Sequence, residues 1–343
     1  MAKLKLIIIT LKTTKNFWQL AFLKASPRKR KVFFRNGITI EVDLTGYRKI
    51  RDLLYYLGNQ KFNIKKYGQA FVVSKERPLF NCLVPSVETL PFFNFLLSLT
   101  NQNWNVSQID ASTFKVDKRA SSYKICSFGD RLFLAKSERI SFTGPLESLT
   151  AYFLECEKGL YDYDYDGKTV LDIGGFCGES AVFFASQGAR KVIIYEPVKE
   201  HHELIRKNIA MNGVKAELHE EGMGEKNGSL SINYETADLA FGLSSKGKKM
   251  VTIQIKSAQD IINQSKADIA KIDCEGAEIN LASVPREVLG LIRFYIVETH
   301  TKSIQDTITK KFIESGFAQT RAPEHISGET SVVYFEKNQS FST

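Results

Sequence analysis

Val170-Leu171-Asp172-Ile173-Gly174-Gly175-Phe176-Cys177-Gly178-Glu179, followed by Tyr195-Glu196-Pro197, decides how this chain folds. An apolar run ends on an acid and breaks into a glycine-rich turn. Residues 180–187 read as a helix, and a second apolar run, 192–195, ends on a glutamate. Strand, glycine loop, helix, strand, acid is the opening βαβ unit of a nucleotide-binding sheet. Glycine lets backbone approach a ligand where a Cβ would clash. Glu196 stands 24 residues beyond Asp172, close to the roughly 20 expected for a ribose-binding acid.

The glycine spacing argues against a dinucleotide. A pyrophosphate calls for G-x-G-x-x-G at the head of the helix. Here the pattern is D-x-G-x-x-x-G on Asp172, Gly174 and Gly178, with Gly175 added. Glu179 stands where a phosphate would lie and would repel it. The P-loop pattern G-x-x-x-x-G-K-[ST] is absent. S-adenosyl-L-methionine, with an ammonium and a sulfonium, suits these acids. Asp172 and Glu179 are assigned to its methionine end, Gly174, Gly175 and Gly178 to the path beneath methionine and ribose, and Glu196 to the ribose hydroxyls. An unliganded βα turn is the alternative; two acids and three glycines falling in place together weigh against it.

The remainder extends the same plan. Residues 201–212 read as a helix stopped by Asn212-Gly213. Residues 216–219 make a third strand. The loop Glu220-Glu221-Gly222-Met223-Gly224 follows where an adenine would sit, with Gly222 and Met223 against the base. Residues 269–273 and 294–298 make the fourth and fifth strands. A helix at 305–315 leads to an antiparallel pair near 318–321 and 331–336. The expected fold is α/β: a mostly parallel, Rossmann-like sheet with an antiparallel last strand, covered on both faces. Ligands bind beyond the carboxyl ends of such strands, where Asp172, Glu196, Asp273 and Glu298 converge.

Lys271-Ile272-Asp273-Cys274-Glu275-Gly276-Ala277-Glu278 resembles the K-x-D-x-E-G-x-E signature of FkbM-type S-adenosylmethionine-dependent methyltransferases. Tyr195-Glu196-Pro197, Lys207-Asn208-Ile209-Ala210-Met211-Asn212 and Val297-Glu298-Thr299-His300 resemble its E-P, K-N-x-x-x-N and E-x-H positions. The resemblance spans residues 170–317. It implies the class I methyltransferase fold and, for most members, O-methylation of sugar or natural-product hydroxyls. The first loop departs from the family: Gly175-Phe176-Cys177-Gly178 stands where many members carry a small residue and an asparagine before the second glycine.

Methyl transfer needs alignment, desolvation and, for an alcohol, a general base. Asp273, at the end of the fourth strand, is the first candidate for orienting or deprotonating the acceptor. His300 is the second, since an ordinary imidazole titrates near neutrality; Glu298 and Glu275 are further candidates. A loop histidine without a role is the competing view of His300. Glu275 and Glu278 also suit a helix N-terminus as plain charges, and His201 and His202 read as solvated surface residues. The [DNS]-P-P-[FYW] motif of amino-directed methyltransferases is missing after the fourth strand, as are zinc spacings such as C-x-x-C. Asp273 and Glu298 alone are thin grounds for a shared magnesium ion, so no metal is expected.

Between Met1 and Arg35 there are ten Lys and Arg and no Asp or Glu, against a net charge of +9 for the 343 residues. Basicity therefore belongs to an N-terminal arm, residues 1–35, that also carries Phe17, Trp18 and Phe22. Packing on the domain with lysines snorkelling outward is the foremost expectation. Contact with an anionic membrane surface comes second, and nucleic-acid phosphate third. Lys12, Lys15 and Lys24 break any span of the required ~20 residues, and the short core at 6–11 makes a poor signal peptide.

Residues 36–145 are expected to form a small α+β region, with a hairpin at 32–44 around Asn36-Gly37, helices at 47–58 and 87–99, and strands at 114–118, 123–127 and 131–135. Residues 146–343 are expected to form the methyltransferase domain. Tyr161-Asp162-Tyr163-Asp164-Tyr165-Asp166 reads as a surface loop, with an aromatic acceptor wall as the alternative. Five cysteines, an odd number, fit a reducing cytoplasm; an arm lying on a membrane would place the chain at its inner surface. The expected activity is O-methylation of a hydroxyl on a sugar, glycolipid or small metabolite. An RNA methyltransferase using the basic arm and a non-catalytic S-adenosylmethionine-binding protein are the alternatives. Oligomeric state is not legible.

Overall fold

The strands flanking Asn36-Gly37, β1 (Arg30–Phe33) and β2 (Thr39–Val42), pair antiparallel. The computed structural model describes residues 30–33, 39–42, 62–67, 70–84, 90–128, 132–234 and 249–338. Most of the basic arm and the expected helix at 47–58 lie outside them. The chain divides into two units, Met1–Phe128 and Gly129–Thr343.

In the first unit β3 (Asn63–Tyr67), β4 (Ala70–Lys75) and β5 (Phe80–Val84) form an antiparallel run. The helix α1 (Leu90–Asn101) then crosses to β6 (Asn105–Gln108), which pairs parallel with β5. Left-handed Asn103, φ +64°, turns the chain after the helix. β7 (Thr113–Lys118) and β8 (Ser121–Phe128) complete an antiparallel meander. Phe80, Phe93, Leu96, Trp104, Val106, Val116 and Ile125 are buried, supplied by alternate strand positions and the apolar stripe of α1.

The second unit opens with a hairpin, β9 (Leu132–Lys136) and β10 (Ser141–Gly144). The helix α2 (Leu146–Ala151) runs on into a π-helical turn, Tyr152–Cys156. Then come β11 (Thr169–Ile173), α3 (Glu179–Ser186), β12 (Lys191–Tyr195), α4 (Lys199–Asn212), β13 (Ala216–His219), β14 (Glu221–Gly224), β15 (Gly228–Tyr234), β16 (Lys249–Ser257), α5 (Ala258–Ser265) and β17 (Ile269–Ile272). A 3-10 turn (Ala277–Ser283), α6 (Arg286–Leu289), β18 (Phe294–Thr299), α7 (Lys302–Glu314), β19 (Phe317–Gln319), β20 (Glu324–Ser327) and β21 (Thr330–Lys337) follow.

The main sheet runs β13-β12-β11-β17-β18-β21-β19. Its first five strands are parallel and β21 is antiparallel to both neighbours, the Rossmann-like arrangement of class I methyltransferases. Every residue of β11, β17 and β18 is buried, as two covered faces require. Leu171, Ile193, Ala270, Tyr295 and Phe335 pack with Ile261 of α5 and Ile308 and Phe312 of α7 in one apolar core. Side-chain caps start two helices: Ser257 accepts from Asp260 N–H and Thr301 from Ile304 N–H, each worth about 1 kcal/mol. Left-handed Gly213 ends α4. Chain order reverses at β11, so a crevice opens beyond the carboxyl ends of β11 and β17.

Two expectations are corrected. Residues 221–224, expected as loop, are strand β14, which pairs parallel with β16, itself antiparallel to β15; Gly222 and Met223 are wall residues with strand hydrogen bonding. The tyrosines of the 161–166 run are not surface loop residues. Tyr161 and Tyr165 are buried and Tyr163 stacks on Phe294 at 3.8 Å, while the aspartates face outward. Among the described residues no helix is long and apolar enough to cross a membrane.

Candidate active site

The glycines of the first loop mould it onto its neighbours. Gly174 has φ +83°, and a Cβ there would lie 1.6 Å from the Asp273 carbonyl oxygen. At Gly175 a Cβ would meet Ile194 Cγ2 at 2.2 Å. Left-handed Gly178 caps α3 and lies against Ile205 of α4. The room that glycine creates is therefore filled by protein, and of the three only Gly174 lines a cavity.

Lys271, in β17, ties the loop to two acids. Its Nζ donates to the Gly174 carbonyl at 2.8 Å and lies 3.4 Å from both Asp172 Oδ1 and Asp273 Oδ2. Burial works against this charge, but Asp172, Asp273, Glu179 and Glu298 together hold its pKa above the ordinary lysine value. Asp172 accepts from Ser180 Oγ at 2.6 Å through Oδ2. Its Oδ1 faces Lys271 without a hydrogen bond, and burial lifts its pKa despite that cation. Glu179 accepts from Cys177 N–H, and burial pushes it to about 8.

Glu196 is more occupied than a ribose clamp requires. Oε2 accepts from Phe176 N–H at 2.9 Å; Oε1 accepts from Val198 N–H at 2.9 Å and contacts His201 Nδ1 at 3.2 Å. A carboxylate offers about four acceptor positions, so one on Oε2 remains for a ribose hydroxyl. His201 and His202, expected at the surface, are buried: His201 also packs edge-on to Phe176, and His202 Nε2 lies 2.8 Å from the Glu196 carbonyl. Their helix begins beneath the Glu196 corner, which no helical periodicity reveals.

Asn208 and Asn212, one turn apart on α4, hold β10. Asn208 accepts from Thr143 N–H and donates to the Thr143 and Cys177 carbonyls; Asn212 exchanges hydrogen bonds with Ser141. The K-N-x-x-x-N positions are thus structural ties between hairpin, helix and glycine loop.

Beyond β17 and β18 lies a charged cluster. Glu278 is fully buried and accepts from His300 N–H and His300 Nδ1, both at 2.9 Å, and from Gly276 N–H at 2.8 Å. His300 Nε2 lies 3.5 Å from Glu275, 3.8 Å from Asp273 and 3.8 Å from Glu298. Burial opposes its charge, yet the bond to Glu278 and the surrounding carboxylates raise it to about 9. An imidazolium cannot accept a proton, so the neutral-pH premise that made His300 a candidate base is removed. Burial and nearby Asp273 carry Glu298 well above the carboxylate range, and burial brings Glu275 and Glu155 to about 7. Glu275 adopts φ +54°, a conformation costly for a residue with a side chain.

Two cavities meet over Gly174. The larger, about 400 Å³, is lined by Glu196, Pro197, Gly222, Met223, Leu230 and Ile255 among others; the smaller, about 220 Å³, by Glu147, Glu155, Glu179, Lys271 and Glu298. Gly174, Asp273 and Glu275 belong to both. Of the expected site residues, Gly174, Glu179, Glu196, Gly222, Met223, Asp273 and Glu298 line a cavity. Asp172, Gly175, Gly178 and His300 stand behind it. Leu230, Ile253 and Ile255 escaped sequence reading, although the alternation Val251, Ile253, Ile255 against Thr252, Gln254, Lys256 was a usable strand signal. Tyr161, raised in the sequence as part of an aromatic acceptor wall, lines the smaller cavity; Glu155, which it meets through a 2.9 Å hydrogen bond, carried no signal.

No protein-family profile matches the chain, and no curated protein matches it. Among solved structures it is similar to PH1948 of Pyrococcus horikoshii, a proposed RNA methyltransferase, at 15% identity over 57% of this chain and 83% of that one, TM-score 0.35. It is similar to Sp1610 of Streptococcus pneumoniae, a proposed tRNA (m1A22) methyltransferase in complex with S-adenosyl-L-methionine, at 14% identity over 55% and 73%, TM-score 0.34. SMU.776, a proposed methyltransferase complexed with SAH, covers more: 90% of this chain and 87% of that one, at 11% identity and TM-score 0.41.

Proposed function

We propose that this chain is an S-adenosylmethionine-dependent methyltransferase whose activity resides in residues 146–343 and whose acceptor is a hydroxyl on a sugar, glycolipid or small metabolite. The carrying observation is the pair of cavities joined at Gly174, Asp273 and Glu275. The larger suits a nucleoside: a carboxylate with one free acceptor position at one side, Met223, Leu230 and Ile255 for an apolar base at another. The smaller has six carboxylates, Glu147, Glu155, Glu179, Asp273, Glu275 and Glu298, against Lys271. Burial raises Glu155, Glu179, Glu275 and Glu298, so an ammonium and a sulfonium would draw these acids into their ionised forms, whereas a phosphate would gain nothing from them.

S-adenosylmethionine supplies a methyl group on a positively charged sulfur. Glu196 would bind the ribose, and Glu179 would pair with the ammonium. Asp273, at the edge shared by both cavities, orients the acceptor hydroxyl toward the methyl carbon. Glu275 would take the acceptor's hydroxyl proton, and the cofactor when bound would supply the methyl group, with the electron pair of the broken carbon–sulfur bond staying on sulfur. An RNA acceptor would bring a polyanion to this acidic lobe, which weighs against that alternative.

Calorimetry with S-adenosylmethionine and S-adenosylhomocysteine tests the cofactor. One site per chain is expected, with no heat from NADH or ATP; the reverse pattern would sink the proposal. Methyl-labelled cofactor and a fractionated native extract test the acceptor: label is expected in glycan, lipid or small-molecule fractions, and label confined to RNA would replace the hydroxyl reading with its rival.

A further inference from the structure

We propose a divalent-cation site formed by Asp273, Glu298 and His300, with Glu278 holding the histidine in place. Asp273 follows β17, and Glu298 and His300 lie at the end of the adjacent parallel strand β18, so the sheet itself brings them together. One donor atom from each falls within 4.8 Å of the others. Donors bound at about 2.1–2.2 Å sit roughly 3–3.7 Å apart; the observed 3.8 Å from Nε2 to each carboxylate lies just beyond that range, and the two carboxylates would close from within 4.8 Å.

Two features separate this group from an ordinary cluster of acids. The first is the orientation of the ring. Glu278 receives both the main-chain N–H and Nδ1 of His300, which directs Nε2 at Glu275, Asp273 and Glu298; a bound cation would displace the proton that Nε2 carries at neutral pH. A histidine whose far nitrogen is tied to a carboxylate is the usual support of a metal-ligating imidazole. The second is independent of the first. Glu298 is 9% exposed, and its Oε2 is fully buried with no hydrogen-bond partner among the described residues. An orphaned carboxylate oxygen is costly; Oε1 is the oxygen 3.8 Å from Nε2, and a cation taken by both oxygens of Glu298 would remove that cost. The sequence alone showed two carboxylates and led to an expectation of no metal; the third ligand and its anchor emerge only from the pairing of β17 with β18.

The two carboxylate oxygens suit Mn²⁺ as they suit Mg²⁺, and the imidazole nitrogen disfavours Mg²⁺, which takes oxygen and keeps its water. Asp273 and Glu298 also line the smaller cavity, so open coordination positions there would receive an acceptor oxygen. This role rests on the methyl-transfer reading; the binding does not. The ion would acidify the bound hydroxyl, whose proton passes to Glu275 as the oxygen attacks the methyl carbon and the electron pair of the broken bond remains on sulfur.

The full chain, stripped with chelator and returned to chelator-free buffer, is titrated with Mn²⁺ and followed by electron paramagnetic resonance. One saturable ion per chain is expected, with nitrogen-14 modulation in the pulsed spectrum from His300. Asp273→Asn and Glu298→Gln should weaken binding at least about tenfold, while Glu220→Gln, at a distant exposed position, should not. Absence of saturable Mn²⁺, absence of nitrogen modulation in the wild-type chain, or unchanged affinity in folded Glu298→Gln overturns the site. The nitrogen signal requires no variant, so a misfolded substitution cannot shelter the idea. S-adenosylhomocysteine binding is measured on the same sample. Cofactor binding without Mn²⁺ removes the metal site alone; Mn²⁺ binding without the cofactor removes the methyl-transfer reading and keeps the site.

Discussion

Glu278 Oε1 receives two hydrogen bonds from His300, one from the main-chain N–H and one from Nδ1, each 2.9 Å long. Its Oε2 takes Gly276 N–H at 2.8 Å, so one buried carboxylate fixes the turns after both β17 and β18. Removing it strands a histidine charge and two main-chain donors. Glu278→Ala is expected to lower the unfolding free energy by about 3–5 kcal/mol, whereas Glu278→Gln, which keeps an acceptor, should lose about 1–2 kcal/mol. Urea unfolding measures both, and an alanine variant within about 0.5 kcal/mol of wild type would remove Glu278 from this role.

Two cavity-lining glycines, Gly174 of the first loop and Gly228 at the start of β15, predict opposite outcomes. At Gly174 an alanine meets both a left-handed φ and a carbonyl oxygen 1.6 Å away. Gly174→Ala should cost at least about 3 kcal/mol and abolish S-adenosylhomocysteine binding. At Gly228 a Cβ would find nothing within 4 Å, and Gly228→Ala should change stability by less than about 0.5 kcal/mol. Thermal unfolding and calorimetry of the pair decide it. Equal behaviour of the two variants would show that the close approach of Gly174 to Asp273 is not rigid.

Glu179 makes a pH prediction. Burial raises its folded pKa from 4.5 to about 8, so its ionised form opposes folding. Its contribution to stability is complete below about pH 4.5 and declines as pH rises through about 8. An ammonium beside it stabilises the ionised form, so cofactor binding should release a proton at pH 7 and tighten from pH 6 to 8. Calorimetry in buffers of different ionisation enthalpy reads the proton. Glu179→Gln should abolish both the release and the pH slope, and a variant that keeps the full slope would assign it to another group.

What could be read in the sequence was what is local in it. The fourth and fifth strands, expected at 269–273 and 294–298, are Ile269–Ile272 and Phe294–Thr299, because a buried parallel strand announces itself as an apolar run between turn residues. The glycine loop and Glu196 were visible for the same reason. What was missed depends on tertiary neighbours. His201, His202 and Glu278 carry polar side chains that pattern reading sends to the surface, yet each is buried against a partner 5 to 22 residues away. β14 was hidden by Gly222 and Gly224, poor strand formers that stand where Cβ atoms would approach Ile255 at 3.2 and 2.5 Å. The tyrosines at 161, 163 and 165 alternate with aspartates, a period-two pattern that marks an inward and an outward face even without a strand.

Lys271 provides the most direct test of the charge balance beneath the two cavities. It is the nearest cation to Asp172 and Asp273, 3.4 Å from each. Lys271→Met keeps volume and removes the charge, leaving buried carboxylates that can only lower their cost by taking up protons. Asp172, already raised by burial with the lysine present, should rise further. Destabilisation of about 3–5 kcal/mol is expected at neutral pH, shrinking toward pH 5 as those carboxyls protonate. Adding Asp172→Asn removes one of the stranded charges, so the double variant should be more stable than the sum of single losses by at least about 1 kcal/mol. Denaturant unfolding of the four proteins at pH 5 and pH 8 gives the coupling directly. Additive losses at both pH values would mean that Lys271 acts through its 2.8 Å bond to the Gly174 carbonyl rather than through its charge.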